Sequence, residues 1–214
     1  MRQNPSFTLT DVEEIKRLIR EHPWAILVSN PPSGLVASHY PVMVDETREE
    51  LAVVTHVGRP DDEVHELGKH ELLMIIQGPH GYISSSWYDA NPMVPTWNFV
   101  SAHLTGVPEV LSADENLEVL GRLVDFFENR VPNPRRITGE TPDAEYAQRI
   151  SAGTVGIRLT PTKIVAKNKM SQNRSAVNVA SIIHELEGDG PYSSATLAAE
   201  MRRTHERMGT FTER

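Results

Sequence analysis

The sequence predicts a mainly β protein with peripheral helices, folded as a closed or nearly closed barrel. Three short apolar runs, WAILVS, GLVASHYPVMVD and ELAVVTHV, follow one another with only the turn-rich NPPSG and DETREE between them. That spacing is the mark of an antiparallel meander. After a short helical interruption, DDEVHELGKH, two more extended runs follow, ELLMIIQGPHGYISSSWY and VPTWNFVSAHLTGV. Strands repeated so regularly call for closure, because a small open sheet leaves its edges unpaired.

The elements can be justified in order. Thr10-Asp11-Val12-Glu13 fits a capping box, and Val12, Ile15, Leu18 and Ile19 keep helical spacing until Pro23, so a helix is expected over residues 11–21. Pro41 cannot donate to a ladder and is expected at an edge or bulge, where a bend would carry the strand around a barrel corner. Leu117, Leu120, Leu123, Val124 and Phe127 form an apolar stripe, which predicts a helix over 114–130. PNPRRITGETP reads as a loop, DAEYAQRI as a short helix, and GTVGIRLTPTKIVAKNKM as one late strand. NRSAVNVASIIHELEG is a helix that Asn173 or Ser175 could cap, and SSATLAAEMRRTHERM is the last. Ser84 to Ser86 read as a turn.

Composition excludes several function classes. The chain has 214 residues, 39% of them apolar and 23% charged, as in an ordinary globular protein. No apolar run approaches the ~20 residues of a spanning helix, and MRQNPSFTLTD has no apolar signal core. With no cysteine there is no disulfide, thiolate ligand or thiol nucleophile. A cytoplasmic protein is expected. Lys plus Arg number 21 and Asp plus Glu 29, a formal charge of −8 that argues against broad binding to a phosphate backbone. No helix-turn-helix pattern is present, so direct DNA contact is not expected. Two stretches are locally basic, KNKMSQNR with Lys167, Lys169 and Arg174, and MRRTHER with Arg202, Arg203 and Arg207; the second reads as a solvated helix face.

Nine histidines raise the question of a metal, yet there is no HExxH or His-x-His pattern, and His65 and His70 fall off a common helix face. No metal site is expected. GxSxG, Walker and GxGxxG patterns are also missing. An anion could still be held from strands by Ser38 and His39, which alternate in SHYP, together with Thr55, His56 and Arg59 of VTHVGRP. Strand packing and solvation explain the same residues equally well. Trp87, Tyr88, Trp97 and Phe99 cluster as a flat ligand would require, or as a core would. KMSQNRS, with Lys169, Ser171, Gln172, Asn173 and Arg174 just before a helix, holds more polar groups than capping needs.

The run VPTWNFVSAHLTGV poses a separate problem, since side chains alternate across a strand. Thr96, Asn98, Val100, Ala102 and Leu104 share one face; Trp97, Phe99, Ser101, His103 and Thr105 share the other. Both faces change polarity near Val100. A strand running from a cofactor pocket into a barrel interior would show that change.

ASHYP, QGPHGYISSSWY, VPTWNF and KMSQNR resemble, in order and spacing, the family of FMN-binding negative transcriptional regulators, the PaiB-like proteins. The resemblance covers residues 6–186. It implies a split β-barrel of the pyridoxamine phosphate oxidase type over residues 1–186, with residues 187–214 as a C-terminal helical extension. It also implies a homodimer that binds FMN at the subunit interface, with Trp97 and Phe99 covered by the partner. Carried over by position, the cofactor-binding residues would be Ser38, His39, Thr55, His56, Arg59, Thr96, Trp97, Asn98, Lys169, Gln172, Asn173 and Arg174. The family reads Asn where Arg59 stands, and commonly Trp where Asn168 stands.

Three functions follow from the resemblance. The first is a flavin-binding regulatory protein. The second is a flavin-dependent oxidoreductase on a small substrate, for which His39, His56 and His103 are the general-base candidates; whether the chain is an enzyme stays open. The third replaces FMN by haem, with a histidine as axial ligand. In the flavin cases the protein places and tunes the cofactor, which carries the redox chemistry.

Overall fold

The structure, a computed structural model, describes residues 1–2, 4–89 and 92–211. In chain order its elements are β1 (Thr8–Leu9), α1 (Val12–Glu21), β2 (Trp24–Ser29), β3 (Val36–Pro41), β4 (Met43–Val44), β5 (Val53–Gly58), α2 (Asp61–Val64) and β6 (Leu72–Ile83). There follow β7 (Thr96–Gly106), β8 (Glu109–Val110), α3 (Ala113–Glu128), α4 (Pro142–Ile150), β9 (Thr154–Leu159), β10 (Lys163–Lys169), α5 (Ala176–Glu187) and α6 (Ala195–Arg207). Ser85–Trp87 form one turn of 3-10 helix, capped by the Ser84 hydroxyl.

The chain folds as two compact units. The first comprises Met1–Thr10, Gln77–Ser101 and Val165–Arg214; the second comprises Asp11–Ile76 and Ala102–Ile164. In the second unit β2 pairs antiparallel with β3 and with the start of β6, and β4, β5, β9 and β8 form a four-stranded sheet in that order. Pro41 ends edge strand β3, and the chain resumes at once in β4 of the four-stranded sheet. The proline thus sits where the strand changes sheets, because an edge position asks for no N–H from it. Helix α3 lays Val119 and Leu123 on this sheet, in a cluster with Met43, Val54 and Leu111. Gly156 of β9 pairs with His56 of β5. A Cβ there would lie 2.9 Å from Asn116 Oδ1 and 3.1 Å from Asn116 Cα of α3. Gly156→Ala is therefore expected to cost about 1–3 kcal/mol, read from urea unfolding.

In the first unit β1 pairs with β10 antiparallel, Thr8 opposite Lys167 and Leu9 opposite Ala166. Helices α5 and α6 pack together there, burying Val179, Ile182, Ile183 and Leu186 from one and Leu197, Ala198, Met201 and His205 from the other.

Three local expectations need correction. Helix α1 is capped by Asp11, whose Oδ1 accepts from the N–H groups of Glu13 and Glu14 at 3.0 and 3.4 Å, and not through a box begun at Thr10. An acceptor that also carries negative charge at the helix start explains the choice. The single late strand is two, β9 and β10, parted at Pro161, and Thr162 N–H donates to Thr105 O at 2.9 Å. On β7, Val100, Ala102 and Leu104 are buried as expected, but so is Ser101, on the face that turns polar after Val100. For α5 the cap is Ser175, one of the two residues named for it.

Candidate functional site

Two groups of side chains collect the residues that the sequence singles out, one in each unit. In the second unit, alternation on β3 puts Ser38 and Tyr40 on one side and His39 on the other. Ser38 Oγ donates to Asp61 Oδ2 at 2.8 Å, and the Tyr40 hydroxyl donates to the same oxygen at 2.7 Å while accepting from Gly58 N–H at 3.1 Å. His65 is 1% exposed, its Nδ1 lying 2.8 Å from Ser29 Oγ and its Nε2 3.0 Å from Ser38 Oγ. The proton directions follow by elimination. A carboxylate only accepts, so the single Ser38 proton goes to Asp61; Ser38 must then accept from His65 Nε2–H, and Nδ1 of the neutral ring accepts from Ser29. Burial pushes the His65 imidazole down, against the pull of Asp61, which fits the neutral ring. Asp61 is held low by the Tyr40 and Ser38 bonds, which outweigh its burial. Tyr40 is pushed up by burial and by its bond to Asp61.

The other residues of this group are mostly committed. Thr55 is fully buried and donates to Pro41 O at 2.6 Å. Arg59 donates to the Asp62 carboxylate at 2.8 Å and to Ala152 O at 3.2 Å. His39 is exposed and stacks on Trp24, ring centroids 6.4 Å apart. His56 stands edge-on to Tyr40 at 6.4 Å; its Nδ1 is buried without a partner, and burial lowers its pKa, keeping the ring neutral. An anion at this edge would have to compete with Asp61 and Asp62 for Ser38 and Arg59.

In the first unit the start of β7 meets the end of β10. The Lys169 ammonium donates to the Thr96 hydroxyl and, at 2.7 Å, to Trp97 O. Burial, then the neighbouring charges of Lys167 and Arg174, push its pKa down. Asn98 is fully buried; its Nδ2 donates to Ser171 Oγ at 2.9 Å and lies 3.4 Å from Met201 Sδ. Ser171 adopts φ +63°, the left-handed region that turns the chain sharply between β10 and α5. Gln172 fastens the same turn, accepting from Met170 N–H at 2.7 Å and donating to Asn168 O at 2.6 Å. Asn98 and Gln172 therefore build the turn and have little left for a ligand. Arg174 lies 5.3 Å from the centre of the Tyr88 ring, whose hydroxyl is buried without a partner. Asn173 is exposed, and Trp97 is 56% exposed with Tyr82 edge-on at 6.2 Å. Among the described residues, Lys167, Lys169 and Arg174 form no ion pair.

Sequence reasoning missed Ser29, Tyr40, Asp61 and His65 as one network. Tyr40 stands inside ASHYP and both Asp61 and His65 inside DDEVHELGKH, but nothing local links stretches more than 20 residues apart.

The family model described as "Putative FMN-binding domain" matches residues 1–163. The chain belongs to this FMN-binding family. It is 29% identical over 185 residues to the "Protease synthase and sporulation protein PAI 2" of Bacillus subtilis, covering 86% of this chain and 87% of that protein. Among solved structures it is similar to the FAD and haem binding protein from Mycobacterium smegmatis, with TM-score 0.58, 17% identity and coverage of 86% and 81% of the two chains. The flavocytochrome Anf3 from Azotobacter vinelandii gives TM-score 0.57 at 15% identity, covering 79% and 72%. The fold is mainly β, with antiparallel sheets and helices, and is shared with these two solved proteins; the cofactor of the family is FMN.

The donor set of the first unit fits that cofactor. A flavin mononucleotide is an anion with a flat ring, and cations without carboxylate partners among the described residues, set among the aromatic rings of Trp97, Phe99 and Tyr88, are what such a group needs. Bound, FMN would supply one- and two-electron chemistry. Lys169, Arg174, Thr96 and Trp97 are the residues of this unit that would hold it. Among the described residues no group of three or more His, Asp or Glu could hold a metal ion, and no helix is long and apolar enough to cross a membrane.

Proposed function

We propose that the protein is a homodimeric, FMN-binding regulatory protein whose output depends on the flavin and not on operator contact. The observation that carries the flavin site is the set of cations Lys167, Lys169 and Arg174, without ion pairs among the described residues, in a chain of net charge −8: Lys169 donates to Trp97 O, Lys167 lies over the Phe99 ring and Arg174 over the Tyr88 ring. The proposed ligand contacts are Thr96, Trp97, Lys169, Asn173 and Arg174, with Asn98 and Gln172 holding the turn that presents them. Ser38, His39, Thr55, His56 and Arg59 form a separate proposed set, carried over from the PaiB-like motifs, of which His56 keeps the most unmet bonding capacity. Two exposed tryptophans, Trp24 at 62% and Trp97 at 56%, support a protein that covers part of its surface with a second copy. The similar B. subtilis protein carries "protease synthase and sporulation" in its name, and the sporulation part supports a regulatory output.

A second reading, a flavin-dependent oxidoreductase, is favoured by a largely apolar cavity at His56. An absorption spectrum after incubation with FMN tests both, with the near-ultraviolet and blue flavin bands expected. Lys169→Met should weaken FMN at least about tenfold, since a charge-assisted bond to an anion is worth roughly 1.5–3 kcal/mol; unchanged affinity would remove the cation cluster from the site. A Soret band would replace flavin by haem, and bleaching by NADH would favour the enzyme. A monomer by light scattering at micromolar concentration would end the homodimer.

A further inference from the structure

In the second unit, helices α3 and α4 and the loop joining them line an open-sided cavity of about 400 Å³ beside His56 of β5. That volume lies within the range of small-molecule sites, roughly 300–1,000 Å³. Leu120 of α3, Ile137 of the loop, and Ala147 and Ile150 of α4 make its walls apolar. Arg135 and Asp143 also line it, but they bind each other through two bonds of 2.9 and 2.6 Å and present no net charge. Its serine and threonine hydroxyls are spent as well: Ser151 donates to Gln148 O at 2.8 Å, and Thr154 donates to Ser151 O at 2.8 Å while accepting from Asn116 at 3.0 Å; Tyr146, 55% exposed, adds a ring at the rim. His56 differs. It lines the cavity, and its Nδ1 is buried with no partner.

We propose that this cavity is a substrate pocket for a neutral, mainly apolar compound of one or two rings, whose single hydrogen-bonding group meets the His56 imidazole. An ionic ligand would be stripped of water against aliphatic walls, with the only charges there already paired. The neutral state of His56 suits the same ligand, because an imidazole without charge can accept from a phenol or donate to a carbonyl. The word substrate rests on the flavin reading, since His56 is among the residues assigned to the flavin; the cavity's ligand class does not.

The probe is 2-naphthol, added to FMN-loaded protein and followed by calorimetry and visible absorption. One saturable site per chain is expected, with a change in the flavin bands because His56, of the same unit, belongs to the set proposed for the flavin. Ile150→Glu sets a carboxylate on the wall at a position already 51% exposed, so the fold should survive it, and Leu120→Trp fills the space. Each should weaken the probe at least about tenfold, or 1.4 kcal/mol. Equal affinity in both variants overturns the cavity assignment, and so does binding that FMN loading abolishes, since the flavin itself would then occupy the space. Binding that leaves the flavin spectrum unchanged overturns the substrate role. A chain that takes up no FMN fails the flavin reading and with it the substrate role, while calorimetry on the flavin-free protein still decides whether the cavity binds the ring compound.

Discussion

Asp45→Ala should lower the unfolding free energy by about 3–5 kcal/mol at neutral pH, the usual loss when one partner of a buried ion pair is removed. The Asp45 carboxylate is fully buried just after β4 and accepts from Arg158 Nε at 2.8 Å, Arg122 Nη1 at 3.2 Å and the Thr47 hydroxyl at 2.8 Å. Without it, the Arg158 guanidinium, 11% exposed, keeps its bond to Glu109 but loses its inner partner. Burial alone would push the Asp45 carboxyl up; the bonds from Arg158, Thr47 and Arg122 outweigh it and bring the pKa from 3.8 to about 2. A folded-state value below the unfolded one stabilises at pH above about 4, and the gain is lost as pH falls from there towards 2. Nearly two units correspond to roughly 2 kcal/mol. Guanidinium melts across that window should show the wild type losing this amount and the alanine variant losing less. Parallel curves would mean that Asp45 is not held in its ionised form.

Asn98→Leu should cost about 2–4 kcal/mol and weaken FMN binding with it. The substitution keeps the branch at Cγ but adds bulk at a fully buried site and leaves Ser171, 3% exposed, without its partner. A buried polar group left unmet costs about 1–3 kcal/mol, and here it sits at the left-handed residue of the turn that carries Lys169 and Arg174. Ser171→Gly should also cost stability, because it leaves the buried Asn98 amide with Met201 Sδ alone, a loss partly offset by glycine's freedom at that φ. The double variant Asn98→Leu with Ser171→Gly should therefore recover part of the loss, a coupling that a double-mutant cycle in urea reads directly. Strict additivity would show that the two side chains do not support each other.

The mixed faces of VPTWNFVSAHLTGV show how far residue patterns reach. They marked Asn98 as misplaced in an apolar row, and the structure buries it completely. They could not say why. Its partners, Ser171 and Met201, lie 73 and 103 residues away. The same holds for Asp45 and Arg158, 113 residues apart, neither of which stood out in a pattern. By contrast, the break between β9 and β10, missed in the expectation of a single late strand, does carry a local signal in LTPT, since a proline inside an extended run removes a ladder donor.

By itself the amino-acid sequence determined the mainly β class, the runs that became strands, the helices with their stripes, and the four motifs that place the chain in an FMN-binding family. Those features are local: alternation, helical period, caps and prolines act within a few residues. Only the tertiary structure decided that Ser38 serves Asp61 and His65, that Gln172 and Asn98 lock a turn, and that Lys167, Lys169 and Arg174 stand without ion pairs among the described residues. A side chain's role in a site depends on which polar groups folding brings within about 3 Å, and that choice of partner is written in no single stretch of chain.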